Sequence, residues 1–134
     1  VRCGCGNYGC LETVASATGV VRRFLCLAPE APPVTAKQVF DMARRGHKLA
    51  LEVVKETGYY LGVAIAGFIN VLDPELVVIG GKMSEAGSIL LNEIKKNVKG
   101  RTMPSKAKCP RIVRAKLGGD AGLIGAAALV LQNT

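Results

Sequence analysis

The sequence has no tryptophan, only three phenylalanines and three tyrosines, and a single histidine. With 49% apolar residues but 4% aromatic ones, its core must be filled by Val, Leu, Ile and Ala, which favours close helix packing over ring stacking. Long apolar runs are missing too. The most apolar stretch, Tyr59 to Leu72, falls short of the ~20 residues that cross a bilayer and holds Asn70 near its end, so a buried helix is expected and no membrane contact. No basic segment followed by an apolar run and a small-residue cleavage site opens the chain, so a cytoplasmic setting is expected.

Acids are scarce: 10 Asp and Glu against 18 Lys and Arg leave a net charge of +8. Nine of these bases, Lys95, Lys96, Lys99, Arg101, Lys106, Lys108, Arg111, Arg114 and Lys116, follow one another with no acid between. Such a run reads as a solvated helix face and its following loop, with attraction of phosphates as the alternative. No aromatic residue interleaves with it to stack on bases, so nucleic acid is not the expected partner.

What is present suits one domain. A chain of 134 residues can hide roughly two-thirds of its unfolded surface in a single core. Three of its five cysteines fall within eight residues, unlike the spread pairs of a disulfide-stapled domain, and metal ligation is the better reading. Cys3, Cys5 and Cys10 are separated by Gly4, Gly6 and Gly9, and glycines let the backbone turn tightly enough for three thiolates to meet one tetrahedral zinc. Residues 1–10 are thus expected to be a loop ordered by metal, with reduced cysteines in a flexible terminus as the alternative. A fourth ligand is lacking nearby. His47 opens a helix, where a surface or capping role is expected, and Cys26 and Cys109 read as small buried apolar residues.

Along the chain, apolar spacing predicts a helix from Leu11 to Leu27, with Gly19 as a weak point and Arg22 and Arg23 near its end, where cations suit the helix dipole. Pro29, Pro32 and Pro33 break the chain. Thr35 and Gln38 form a capping box that starts a second helix, running to about Arg45 and ended by Gly46. A long central helix from His47 to Leu72 is amphipathic at first and apolar almost all round from Leu61. After Asp73 and Pro74, Leu76 to Ile79 reads as a buried strand turning at Gly80 and Gly81. A helix from about Ser84 to Val98, a half-buried strand over Ile112–Leu117, and a last helix from the Gly118-Gly119-Asp120 turn to about Leu131 complete an α/β order. Two strands leave two open edges, so further strands from upstream or from another copy, and hence a homo-oligomer, are expected.

Cys3, Cys5, Gly6, Gly9, Cys10 and Glu12 fill every fixed position of C-x-C-G-x-x-G-C-x-E, and the pattern resembles the ROK family of repressors, open reading frames and kinases. Asp73-Pro74-Glu75, Ile79-Gly80-Gly81 and residues 120–127 resemble later landmarks of that family in the same order, so the resemblance spans nearly the whole chain. It implies the C-terminal portion of an actin-like ATPase (ribonuclease H-like) fold. Residues 1–12 would form the zinc loop and 73–134 the nucleotide-side segment. It implies an ATP- and magnesium-dependent hexose kinase of the glucokinase type, with the catalytic aspartate, the first phosphate loop and a histidine zinc ligand placed upstream of Cys3. Glu12 would then accept hydrogen bonds from sugar hydroxyls, where otherwise a glutamate in a first helical turn reads as a dipole partner.

Gly80 and Gly81 resemble the nucleotide-contacting turn of actin-like ATPases, although Lys82 stands where a third glycine is usual; a purely structural turn is the alternative. A sugar-responsive repressor of the same family would carry the same motif, and a free-standing zinc module binding nucleic acid is the third reading.

Overall fold

The structure, a computed structural model, describes residues 1–103 and 110–132. Two one-sided helical segments open it: α1 (Glu12–Ala15) and α2 (Ala17–Leu27), followed by α3 (Ala36–Arg44) and the long α4 (Lys48–Leu72). The single helix expected over Leu11–Leu27 is broken at Ser16, whose backbone is extended (φ −98°, ψ 169°) and whose hydroxyl accepts from the Gly19 N–H at 3.1 Å to cap α2. Gly19 is a site of close approach: a Cβ there would lie 2.9 Å from the Thr13 carbonyl oxygen.

The capping box of α3 forms as expected, with the Gln38 N–H donating to Thr35 Oγ1 at 3.2 Å and the Thr35 N–H to Gln38 Oε1 at 2.7 Å. Gly46, at φ +87°, then turns the chain. His47 caps α4, its Nδ1 accepting from the Ala50 N–H at 3.4 Å while its ring packs 5.8 Å from that of Phe24. Asp73 ends α4 in the left-handed region (φ 46°), a conformation a short polar side chain tolerates, and Pro74 follows.

Strands β1 (Leu76–Ile79) and β2 (Arg111–Arg114) pair in parallel, Leu76 opposite Arg111 and Ile79 opposite Arg114, joined across α5 (Ser88–Lys99). A 3₁₀ turn over Gly81–Ala86 precedes α5, which starts later than Ser84 because Gly87 sits at φ +67°. β2 also stops short of Leu117, since its partner ends at Ile79 and the Ala115 N–H closes the ladder on the Ile79 carbonyl at 2.9 Å. A second 3₁₀ turn (Gly118–Asp120) packs against the first and leads into α6 (Ala121–Gln132).

The core lies around α4. Its Val53, Val54 and Ile69 meet Val20 and Phe24 of α2, Val39 and Phe40 of α3, and Leu90, Ile94 and Val98 of α5. Each such side chain contributes about 1.5–3 kcal/mol when fully buried. Helix α5 comes close because Gly58 and Gly62 face it; a Cβ at either would fall 2.5 Å and 2.4 Å from the Cβ atoms of Glu93 and Asn97.

Three expectations of burial are corrected. Leu76 and Val78 of β1 are half exposed and Phe68, Val71 and Leu72 of α4 are exposed. Val77 and Ile79 of β1 pack against the core, while the alternating Leu76 and Val78 point to the opposite side of the sheet and meet solvent. Cys26 is exposed as well, because it points about 200° around α2 from the buried Phe24. Cys109 lies outside the described residues. No helix among those described is long and apolar enough to cross a membrane.

Candidate metal and sugar site

The first ten residues fold back on themselves through two backbone bonds, Cys3 N–H to the Asn7 carbonyl at 2.8 Å and Gly6 N–H to the Cys3 carbonyl at 2.9 Å. Gly6 and Gly9 take positive φ (90° and 77°), which other residues reach only with strain. The turn gathers the sulfurs of Cys3, Cys5 and Cys10 within 4.8 Å of one another. Cys5 and Cys10 are 3.6 Å apart, against the about 3.8 Å that tetrahedral zinc with bonds of about 2.3 Å requires. Three sulfurs so placed fit three corners of a tetrahedral ion, and among the described residues this is the one cluster of His, Cys, Asp or Glu close enough to share a metal.

The thiols do not titrate alike. Cys5 is held below its ordinary value, first by the backbone N–H of Asn7 and then by the thiols of Cys10 and Cys3. Cys10 is pushed up to about 11, because its proton is shared first with Cys5 and then with Cys3. Cys5 therefore gives up its proton more readily than an ordinary thiol, while Cys10 keeps its own until a cation takes that proton's place.

Glu12 follows directly. The Cys10 carbonyl accepts from the Thr13 N–H at 3.0 Å and from Thr13 Oγ1 at 2.7 Å, so the last cysteine starts α1 and sets Glu12 in its first turn. Glu12 is exposed and lines an open cleft of about 640 Å³ together with all three cysteines, Arg2, Thr13, Ser16, Thr18 and Arg22. Arg22 and Arg23 are not in the last turn of α2, as their expected role with its dipole required. They reach back to α1: Arg22 donates to the Thr13 carbonyl and Arg23 to that of Val14.

Gly80 and Gly81 sit elsewhere, at the C-terminal end of β1, where the two 3₁₀ turns meet. Gly81, at φ +62°, needs glycine for its backbone; Gly80, with only the Ala115 Cβ at 3.8 Å from its own missing Cβ, does not need it for space. A second open cleft, of about 400 Å³, joins Lys82 and Glu85 of that turn to Thr18 and Val21 of α2 and to Lys37. Thr18 borders both clefts, so α2 separates the cysteine loop from the glycine turn. His47 is engaged in capping α4 and packs at a tilt against Phe24, and it is not among the ligand groups gathered with the cysteines. Of the basic run, Lys95, Lys96 and Lys99 lie on the exposed face of α5 and Arg111 and Arg114 are exposed on β2, while Lys106 and Lys108 fall outside the described residues.

The arginine ties of α1 and the residues Arg2, Ser16 and Thr18 of the cleft were not singled out by spacing. Their one signal was a pair of cations inside an otherwise apolar helix.

Comparison with known proteins places this arrangement. The model of the ROK family matches residues 1–133. A glucokinase from Halalkalibacterium halodurans is 44% identical over 98% of the chain and 43% of its own length. The DNA-binding transcriptional dual regulator NagC of Escherichia coli K12 is 35% identical over 96% of the chain and 33% of its own length. A crystal structure of a ROK family glucokinase from Streptomyces griseus, in complex with glucose and AMPPNP, superposes with a TM-score of 0.85 at 29% identity, covering 96% of this chain and 46% of that one. The chain therefore spans less than half the length of these relatives. Their helix-rich α/β fold is the one expected, and this chain belongs to the ROK family.

Proposed function

We propose that this chain is the C-terminal portion of an ATP-dependent hexose kinase and supplies its sugar-gripping half. The observation that carries the reading is the convergence of three cysteine sulfurs beside an exposed glutamate in one open cleft. Cys3, Cys5 and Cys10 hold zinc with a fourth ligand from upstream sequence, and a closed shell of four makes the ion structural. Glu12, ionised and able only to accept, takes hydrogen bonds from sugar hydroxyls and orients the hexose. Gly80 and Gly81 border the nucleotide, magnesium accompanies the ATP phosphates, and residues 73–134 form the nucleotide side. Phosphoryl transfer to the 6-hydroxyl depends on such positioning and on charge stabilisation more than on covalent catalysis. The kinship to glucokinases, one of them crystallised with glucose and an ATP analogue, supports this reading.

A metal assay and a sugar titration test it. Freshly purified protein should carry one zinc per chain, lost in Cys5→Ser, and Glu12→Gln should weaken hexose binding by the full-length protein while it keeps its zinc. Protein without zinc, or undiminished sugar affinity in Glu12→Gln, would refute the assignment. The second reading, a sugar-responsive repressor, is favoured by the 35% identity to NagC. A DNA-binding segment upstream of Cys3, with no phosphate loop, would select it.

A further inference from the structure

We propose that Arg23 is a positioning residue that fixes the helix bearing Glu12 and thereby sets the affinity of the cleft for sugar; the inference rests on the reading of Glu12 given above. Helix α1 is a single turn, too short to hold its shape in water by itself. Its last carbonyls have no partner within the helix, and Arg22 and Arg23 supply one each, to Thr13 and Val14. Arg22 borders the cleft. Arg23 does not, and its side chain is only 12% exposed.

The remaining donors of Arg23 all go to α4. Its Nη1 donates to Thr57 Oγ1 at 3.1 Å and to the Val53 carbonyl at 3.5 Å, and its Nε lies 3.2 Å from Glu56 Oε2. The guanidinium sits 5.7 Å from the centre of the Tyr60 ring. Thr57 is fully buried and donates to the Val53 carbonyl at 2.7 Å, so the far end of the tie is rigid. One planar fork therefore joins the turn that carries Glu12 to the longest helix of the protein. Lysine, with its donors on a single nitrogen, cannot span those partners. The contact transmits displacement because α2 has no clearance from α1: the missing Cβ of Gly19 would already crowd the Thr13 carbonyl at 2.9 Å. Arg23 touches no sugar in this scheme; it acts through α1.

The test is calorimetric titration of the full-length protein with glucose, mannose, fructose and N-acetylglucosamine, and separately with a non-hydrolysable ATP analogue. For the hexose bound most tightly, Arg23→Lys and Arg23→Met should each weaken affinity about tenfold, within the roughly hundredfold that an ångström of misplacement can cost. Nucleotide affinity should stay at the wild-type value. Glu56→Gln, which loosens only one arm, should weaken sugar binding about two- to threefold and keeps the question open to test should Arg23→Met fail to fold. In the Glu12→Gln background, Arg23→Lys should add no further loss.

Wild-type sugar affinity in Arg23→Lys, or equal losses for sugar and nucleotide, would overturn the inference where Glu12→Gln weakens sugar alone. If the wild type binds none of the four hexoses, or Glu12→Gln binds them unchanged, the reading of Glu12 fails and Arg23 with it.

Discussion

At the scale of single residues, the cysteine loop is decided by protons. Cys10 keeps its proton at neutral pH, being pushed up to about 11, whereas Cys5 sits below its ordinary value. A zinc ion bound as proposed must therefore displace at least the Cys10 proton, so affinity falls as pH falls and rises as pH rises. Each proton released adds about tenfold per pH unit. Competition with a chromophoric chelator at pH 6 and pH 8 should show at least that dependence, and a flat profile would contradict it. The meeting of the three cysteines and the place of Glu12 in a first helical turn were legible in the sequence because short-range motifs carry their own geometry. The fourth ligand of the proposed zinc site was not, because ligands that meet at an ion need not be neighbours in the chain.

At the scale of elements, local chemistry was readable wherever a residue acts on its own backbone. Thr35 and Gln38, Gly46, and Asp73 before Pro74 all mark boundaries where they were expected. Ser16 was not readable as a break, because a serine between apolar helical neighbours is compatible with a continuous helix; the close approach of Gly19 to Thr13 supplies the missing constraint. For the same reason Arg22 and Arg23 looked like cations suited to a helix end. Their partners are carbonyls of a different helix, and sequence spacing does not encode tertiary contacts.

The glycines of α4 make opposite predictions. Gly62→Ala would drive a methyl to within 2.4 Å of the Asn97 Cβ, and should destabilise by about 1–3 kcal/mol as overpacking does. Gly67→Ala has nothing within 4 Å and lies exposed in the same helix, so it should stabilise by about 0.5–1 kcal/mol. Urea midpoints for the two variants should move in opposite directions, and a shared direction would show that the α4–α5 contact is not tight.

At the scale of the whole molecule, the α/β order was legible and the extent of burial was not. Hydrophobicity marked Leu76, Val78 and Phe68 as interior, yet all three are about half exposed in the chain. Apolar pattern reports what a segment can cover, and whether it is covered depends on what lies beside it. Two open strand edges and these bare faces predict that the purified 134-residue chain self-associates, with a sedimentation coefficient that climbs with concentration. A strictly monomeric profile would count against it. The chain alone should also show no glucose phosphorylation if, as the proposed function has it, the base and half of the ATP site come from upstream sequence; turnover by it would sink that division of labour.

The parallel pairing of β1 with β2 also orders events in time. Parallel neighbours cannot be closed by a tight hairpin, so the sheet waits until the intervening helix has swung back across it. That helix finds its place by nesting on Gly58 and Gly62, which makes two side-chain-free positions in α4 a gate on when the strands can meet. Crowding that seam should therefore slow refolding as well as lower stability, visible in stopped-flow records of Gly62→Ala as a displaced folding limb.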